Sequence, residues 1–197
     1  MSYFPFFVDV EKLHGVIVGG GNVALEKVER LIPFNAKLTL VAPEIDEAIR
    51  QFGDRIELIE REYRSTDLDN ADYVIAATDI HGLNEQVRGD AKKRGLLINV
   101  VDVTDSCDFI FPSVIKRGKL VVGVSSSGAG PRVAIRLRKE IEKLIPDDIE
   151  DILDFLAQER VRAKEEIEDP VERKKYLIEL ADRVLDHEQC TESESKN

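Results

Sequence analysis

Val16-Ile17-Val18-Gly19-Gly20-Gly21-Asn22-Val23-Ala24 carries an apolar run into three glycines and out into a helical pattern. Ala24, Leu25, Val28, Leu31 and Ile32 continue at helical spacing, so the stretch predicts strand, tight turn and helix. The glycines form the GxGxxA version of the dinucleotide fingerprint. Gly19 permits the tight turn, Gly21 lets the backbone approach a pyrophosphate, and Ala24 lets the helix pack closely on the strand. Asn22 and Val23 open the helix, whose N-terminal amides face the phosphates. A plain tight turn explains a glycine run alone, but strand, glycines and helix together point to a bound dinucleotide.

Working outward, Asn35 stands where a left-handed helix cap is expected, and Leu38 to Val41 form a second apolar strand closed by Pro43. Further strands are predicted at Ile56 to Ile59, Tyr73 to Ala77 and Leu96 to Val101, with a helix from about Leu83 to Arg94. Such alternation implies an α/β fold, a parallel sheet with crossover helices. Beyond Val101 the pattern changes. Phe109 to Ile115 and Leu120 to Val124 are apolar runs joined by Lys116-Arg117-Gly118-Lys119, which reads as an antiparallel hairpin or a paired extension. Pro131 suits the first position of the helix that follows the loop Ser125 to Gly130. Charged helices are expected from Asp147 to His187, divided at Pro170. The expected domains are thus 1–112 for the nucleotide, 113–146 as a small α+β region and 147–187 as a helical region, with 188–197 a disordered tail.

Four other places carry chemistry, each with a plainer alternative. Pro43-Glu44 ends the second strand, where a carboxylate would accept hydrogen bonds from an adenosine ribose and repel a 2'-phosphate, favouring NAD over NADP. Glu44 could equally be a charge in the first turn of a helix. Thr78 and Asp79 end the fourth strand, beside a cofactor or as caps of the next helix. Asn99-Val100-Val101-Asp102 ends the fifth strand, at the edge where such sheets bind ligands, so Asn99 and Val100 can touch a cofactor and Asp102 is placed for chemistry. An aspartate in a loop is more often solvated or capping. Ser125-Ser126-Ser127-Gly128 leads into a helix bearing Arg132 and Arg136, either an anion site or a flexible connector with solvated cations.

The net charge of −11 argues against general nucleic-acid binding, which needs a surplus of Lys and Arg. Residues 147–197 hold 17 acidic and 8 basic side chains, and residues 1–146 hold 22 and 20, so the C-terminal quarter carries most of the imbalance. Ser113 to Pro146 has eight bases against Glu140 and Glu142. No stretch approaches the roughly 18 apolar residues of a membrane span. Cys107 and Cys190 lie far apart in sequence, and His14, His81 and His187 have no paired spacing, so no metal site and no disulfide framework is expected. A cytoplasmic location is the expectation.

Together these blocks resemble the precorrin-2 dehydrogenase family, which includes the N-terminal module of siroheme synthase. The resemblance runs in order through Phe4 to Phe7, VGGGNVALEK from Val18, VAPE from Val41, AATD from Ala76, Asn84, NVVD from Asn99, FIFP from Phe109, VSSSGAGP from Val124 and LIP from Leu144. Departures are Asn35, Ile80 and the loop Val103 to Cys107. The resemblance implies a homodimeric NAD enzyme of siroheme and porphyrin-type tetrapyrrole biosynthesis, in which precorrin-2 gives up a hydride and becomes sirohydrochlorin. It maps the family's essential aspartate onto Asp102, with Asp105 second. A substrate with eight carboxylates gives the basic segment a use, and Ser125 to Gly128, Arg132 and Arg136 are expected to line its pocket. The family divides on whether the same site also inserts Fe2+ or Co2+ into sirohydrochlorin, and the motifs leave that open.

Two other classes carry a similar fingerprint. An NAD-binding regulatory subunit of a potassium transporter would not require the blocks after the fifth strand. A short-chain dehydrogenase relies on Tyr-x-x-x-Lys, and none of Tyr3, Tyr63, Tyr73 or Tyr176 has lysine four residues later.

Overall fold

The computed structural model describes residues 3–101, 103 and 107–194, with side chains as far as residue 185. It divides into two compact units, Met1–Phe111 and Pro112–Asn197. The first is built on five parallel strands, β1 (His14–Val18), β2 (Lys37–Ala42), β3 (Glu57–Glu60), β4 (Tyr73–Ala76) and β5 (Leu97–Val100). Their order is β3-β2-β1-β4-β5, so the chain reverses direction of growth between β1 and β4. Ligands of open α/β sheets bind at that point, beyond the carboxyl ends of the strands.

The apolar runs are continuous because both faces of the sheet are covered. Ile17 packs on one face with Ala24, Val28 and Leu31, the i, i+4, i+7 stripe of α1 (Asn22–Leu31). Val16 and Val18 point the other way, toward Val87 and Ala91 of α3 (His81–Arg94). The short α2 (Glu47–Arg50) adds Ile49 to the first face and is capped by Asp46, whose carboxylate accepts the Ala48 N–H at 2.8 Å. Asn35 does adopt the left-handed conformation, φ 54°, after a 3-10 turn containing Pro33.

Tyr73, at the start of β4, is a cost inside this core. Its hydroxyl is buried and has no hydrogen-bond partner among the described residues. Burial pushes its pKa up to about 12. A Cβ on Gly15 would lie 2.3 Å from the Tyr73 ring, so glycine there makes room for the phenol.

In the second unit, β6 (Ser113–Arg117) and β7 (Leu120–Val124) form the expected antiparallel hairpin, with Gly118 in the left-handed region at φ 52°. The helix α4 (Pro131–Glu142) packs on both strands, and α5 (Ile149–Glu166) packs against α6 (Pro170–Glu194). The regions 113–146 and 147–187 both lie in this unit. Two details differ from the sequence reading, and a third corrects the expectation that the Phe-rich start, Phe4, Phe6 and Phe7, packs on the domain as a strand or anchor. The strand begins at Ser113, not Phe109, because Phe109 and Phe111 turn inward onto the first unit's core and Pro112 donates no ladder hydrogen bond. The last helix runs on to Glu194, since neither Gly nor Pro follows Pro170 to stop it. Phe4, Phe6 and Phe7 are exposed, at 74–79%, and Val10 and Leu13 do the anchoring instead.

Candidate functional site

The carboxyl ends of β1, β2, β4 and β5 gather most of the residues expected to hold a cofactor. Gly19 and Gly21 lie in the β1–α1 turn, Asn22 and Val23 open α1, Pro43 and Glu44 follow β2, Thr78 and Asp79 follow β4, and Asn99 and Val100 end β5.

The three glycines do different things. Gly19 sits at φ 123°, and a Cβ there would lie 2.2 Å from the Ala77 carbonyl oxygen. A Cβ on Gly20 would lie 2.2 Å from the Glu44 carbonyl oxygen, and the Gly20 carbonyl accepts the Asp46 N–H at 2.9 Å. Both are therefore glycine so that the loops after β1, β2 and β4 can close on one another. Gly21 is different: a Cβ there would meet nothing within 4 Å among the described residues, its chain neighbours aside, and its φ of −95° suits any residue. It also precedes a helix whose N-terminus has no side-chain cap. Open space in front of uncapped helix amides fits an anionic group such as a pyrophosphate.

Glu44 is exposed and lies ahead of α2, which begins at Glu47, so it is not a first-turn charge. Arg50, the first arginine after it, is bound to Glu60 at 2.6 Å. Thr78 is engaged within the protein. Its hydroxyl donates to Asn84 Oδ1 at 2.8 Å and accepts the Ile80 N–H at 3.2 Å, while Asn84 Nδ2 donates to the Thr78 carbonyl at 2.8 Å. Asn84 is 6% exposed, so this clamp fixes the β4–α3 turn, and Asp79 is left exposed.

Asn99 is 7% exposed, and its amide donates to the Phe109 carbonyl at 2.9 Å. Cys107 Sγ lies 3.2 Å from the Val100 nitrogen and 3.1 Å from its carbonyl oxygen. Burial raises the Cys107 pKa, which disfavours a thiolate. Asp108 completes the arrangement, donating its N–H to the Ile98 carbonyl at 2.8 Å and accepting the Ile98 N–H at 3.1 Å. Residues 107–109 thus cover the open edge of β5. Asp102 and Asp105 lie outside the described residues. Beside β5, a cavity of about 250 Å³ opens between α1 and residues 99–111. Sequence reasoning missed it, because Lys27 and Arg30 read as the polar face of a helix.

In the second unit, the β7–α4 loop is held by its own side chains: Ser125 Oγ accepts the Ser127 N–H at 3.0 Å and Ser126 Oγ the Gly130 N–H at 3.1 Å. Ser127 and Gly128 have φ 51° and 86°. Arg132 and Arg136, one helical turn apart, are exposed and form no ion pair among the described residues. No group of three His, Cys, Asp or Glu that could hold a metal ion occurs among the described residues, and no described helix is long and apolar enough to cross a membrane.

A family model described as "Putative NAD(P)-binding" matches residues 6–113, more than half the chain. The chain belongs to this NAD(P)-binding family. A second model, "Sirohaem biosynthesis protein central", matches residues 117–144 of the second unit. Among curated relatives, the siroheme synthase of Mannheimia succiniciproducens is 37% identical over 182 residues, 91% of this chain and 38% of that protein. That of Psychrobacter arcticus is 41% identical over 148 residues, 74% of this chain and 27% of the relative. The chain therefore spans about two fifths or less of these relatives' length. The solved structure of SirC, precorrin-2 dehydrogenase, has the same fold, with a TM-score of 0.75 over 90% of this chain and 89% of that one at 21% identity. The potassium-transporter alternative finds no support among these relatives.

Proposed function

We propose that the protein oxidises precorrin-2 to sirohydrochlorin with NAD+, acting as a homodimer in the cytoplasm. The observation that carries the reading is Gly21, a glycine that no described residue requires to be one, at a helix N-terminus without a side-chain cap. The siroheme synthase relatives, matched along nearly the whole of this chain, support the substrate. Glu44 exposed after β2, with Arg50 held by Glu60, supports NAD over NADP, since a 2'-phosphate would meet a carboxylate, and the first arginine after it is already paired.

Bound NAD+ supplies the acceptor for a hydride. The chain's own residues do the rest. The amides of Asn22 and Val23 hold the pyrophosphate, and Glu44 accepts from the ribose hydroxyls. The Asp102 carboxylate, with Asp105 the second candidate, takes the proton released as one substrate C–H electron pair leaves with its hydrogen, so two electrons and two hydrogens are accounted for. Ser125 to Gly128, Arg132 and Arg136 draw in the substrate's carboxylates.

The test is anaerobic mixing of protein, precorrin-2 and NAD+ while NADH absorbance and the sirohydrochlorin spectrum are followed together. The reading requires both to grow in equal amounts. Tight NAD binding with no NADH would overturn it.

A further inference from the structure

Asn84, which no step of the proposed chemistry uses, is a polar residue in a place that does not favour one. It is the fourth residue of α3 and is 6% exposed. A helix interior prefers leucine or alanine to asparagine, and a buried amide must find partners. Both halves of this amide go to one residue outside the helix, Thr78. Asn84 Nδ2 donates to the Thr78 carbonyl at 2.8 Å, while Asn84 Oδ1 accepts the Thr78 hydroxyl at 2.8 Å and the Thr78 N–H at 3.3 Å. The side chain therefore meets both backbone groups of Thr78, as a neighbouring strand would.

Thr78 needs that partner because the parallel ladder ends just before it. Ala77 N–H still donates to the Val18 carbonyl at 2.8 Å, and Val101 N–H to the Ala76 carbonyl at 3.0 Å. One residue further on, β1 has turned away at Gly19, with φ 123°. Thr78 nevertheless stands directly behind that turn. A Cβ built on Gly19 would run into the Ala77 carbonyl oxygen and lie 3.2 Å from the Thr78 nitrogen. The nitrogen whose N–H Asn84 accepts is thus one of the atoms that back the first glycine of the fingerprint.

We infer that Asn84 is a positioning residue for the cofactor: it holds Thr78 against the glycine turn, and through Thr78 it sets the affinity for NAD+. The inference rests on the proposed seating of the pyrophosphate at the start of α1. A binding constellation must be held to within about 0.5 Å by the residues behind it, and here the hold comes from α3.

The experiment compares wild type with Asn84→Leu, Asn84→Asp and Asp67→Asn. The last is a control for stability alone, since Asp67 lies in the 3-10 turn before β4 and Thr78 follows that strand. Three quantities are read: Kd for NAD+ by calorimetric titration without substrate, KM for precorrin-2 at saturating NAD+, and melting temperature. Leucine has a similar volume and suits a helix interior better, so it removes the clamp at little cost in packing. Aspartate keeps the acceptor but sets an oxygen, in place of the donor, against the Thr78 carbonyl. Kd for NAD+ should rise about tenfold in both Asn84 variants, within the range for residues that act on a ligand without contact, while KM for precorrin-2 stays within about twofold. Asp67→Asn should melt lower and bind NAD+ as wild type does. If Asn84→Leu does not fold, Asn84→Asp decides alone. A folded Asn84 variant with unchanged Kd overturns the inference. So does a rise in Kd that Asp67→Asn reproduces, which reduces Asn84 to stability, or an equal rise in KM for precorrin-2. Because Kd is read without substrate, wild type that binds NAD+ but forms no NADH overturns the proposed reaction alone, whereas wild type that does not bind NAD+ overturns both.

Discussion

Gly19→Ala and Gly21→Ala are two methyl groups added two residues apart, and the structure predicts opposite consequences. At Gly19 the new Cβ would stand 2.2 Å from the Ala77 carbonyl oxygen, at φ 123°, so either the β1–α1 turn or the end of β4 must move. Backbone cannot swing aside as a side chain can, and strain at positive φ adds about 1–3 kcal/mol to an overpacking cost of about 1–3 kcal/mol. The sum is a large part of the roughly 5–15 kcal/mol that typically stabilises a domain. At Gly21 the Cβ would meet nothing within 4 Å among the described residues, and alanine in place of a glycine N-cap costs about 1 kcal/mol or less. Gly21→Ala should therefore melt within a few degrees of wild type. Its methyl group, however, would occupy the space that the pyrophosphate is proposed to fill. Displacing the phosphates from the α1 amides removes charge-assisted hydrogen bonds worth about 1.5–3 kcal/mol each, so Kd for NAD+ should rise by ~10- to 100-fold. Thermal melting and isothermal titration with NAD+ on both variants separate the two roles. Gly21→Ala binding NAD+ as wild type does, or unfolding as readily as Gly19→Ala, would refute the division of labour among the glycines.

Other outcomes follow from the same geometry. Tyr73→Phe removes a buried hydroxyl without a partner among the described residues and should raise stability by about 1 kcal/mol, whereas Gly15→Ala drives a methyl into that ring and should lower it by about 2 kcal/mol; denaturant melts check both. Arg61, paired in parallel with Asp67 at 2.6 and 2.9 Å, holds that carboxyl below the usual carboxylate range. Its contribution is present above the unfolded pKa of about 4 and lost as pH falls through the folded value, so Asp67→Asn should lower stability at pH 7 and progressively less below pH 4 in pH-dependent melts. Glu44→Ala should narrow the preference for NAD+ over NADP+, read as the ratio of the two dissociation constants. Replacing Arg132 and Arg136 together with alanine should raise KM for precorrin-2 and weaken its salt dependence, and an unchanged KM across salt concentrations would remove them from the substrate site.

The first unit was legible in the sequence because each of its elements is signalled locally. Apolar runs buried on both faces, the glycine turn and the left-handed Asn35 all depend on residues close in the chain. What could not be read there depends on where loops and side chains turn back onto the strands, which residue spacing alone does not show. The Asn99 amide looks like a cofactor contact until Phe109 is seen to accept from it, and the Thr78 hydroxyl looks free until Asn84 turns back to meet it. Lys27 and Arg30 have the spacing of a solvated helix face, and only the return of residues 107–111 across the core makes them a cavity wall. Phe4, Phe6 and Phe7 mislead in the opposite sense, because aromatic composition predicts burial while these three rings stand exposed, Phe4 tilted against Phe6.

The central claim is that a substrate hydrogen passes directly to the nicotinamide ring. Precorrin-2 carrying deuterium at the carbon that is oxidised, incubated anaerobically with the protein and NAD+, tests it by mass spectrometry of the reduced cofactor. Direct transfer predicts NADH heavier by one deuterium, formed in step with sirohydrochlorin. Sirohydrochlorin formed alongside unlabelled NADH, or without any NADH, would contradict it.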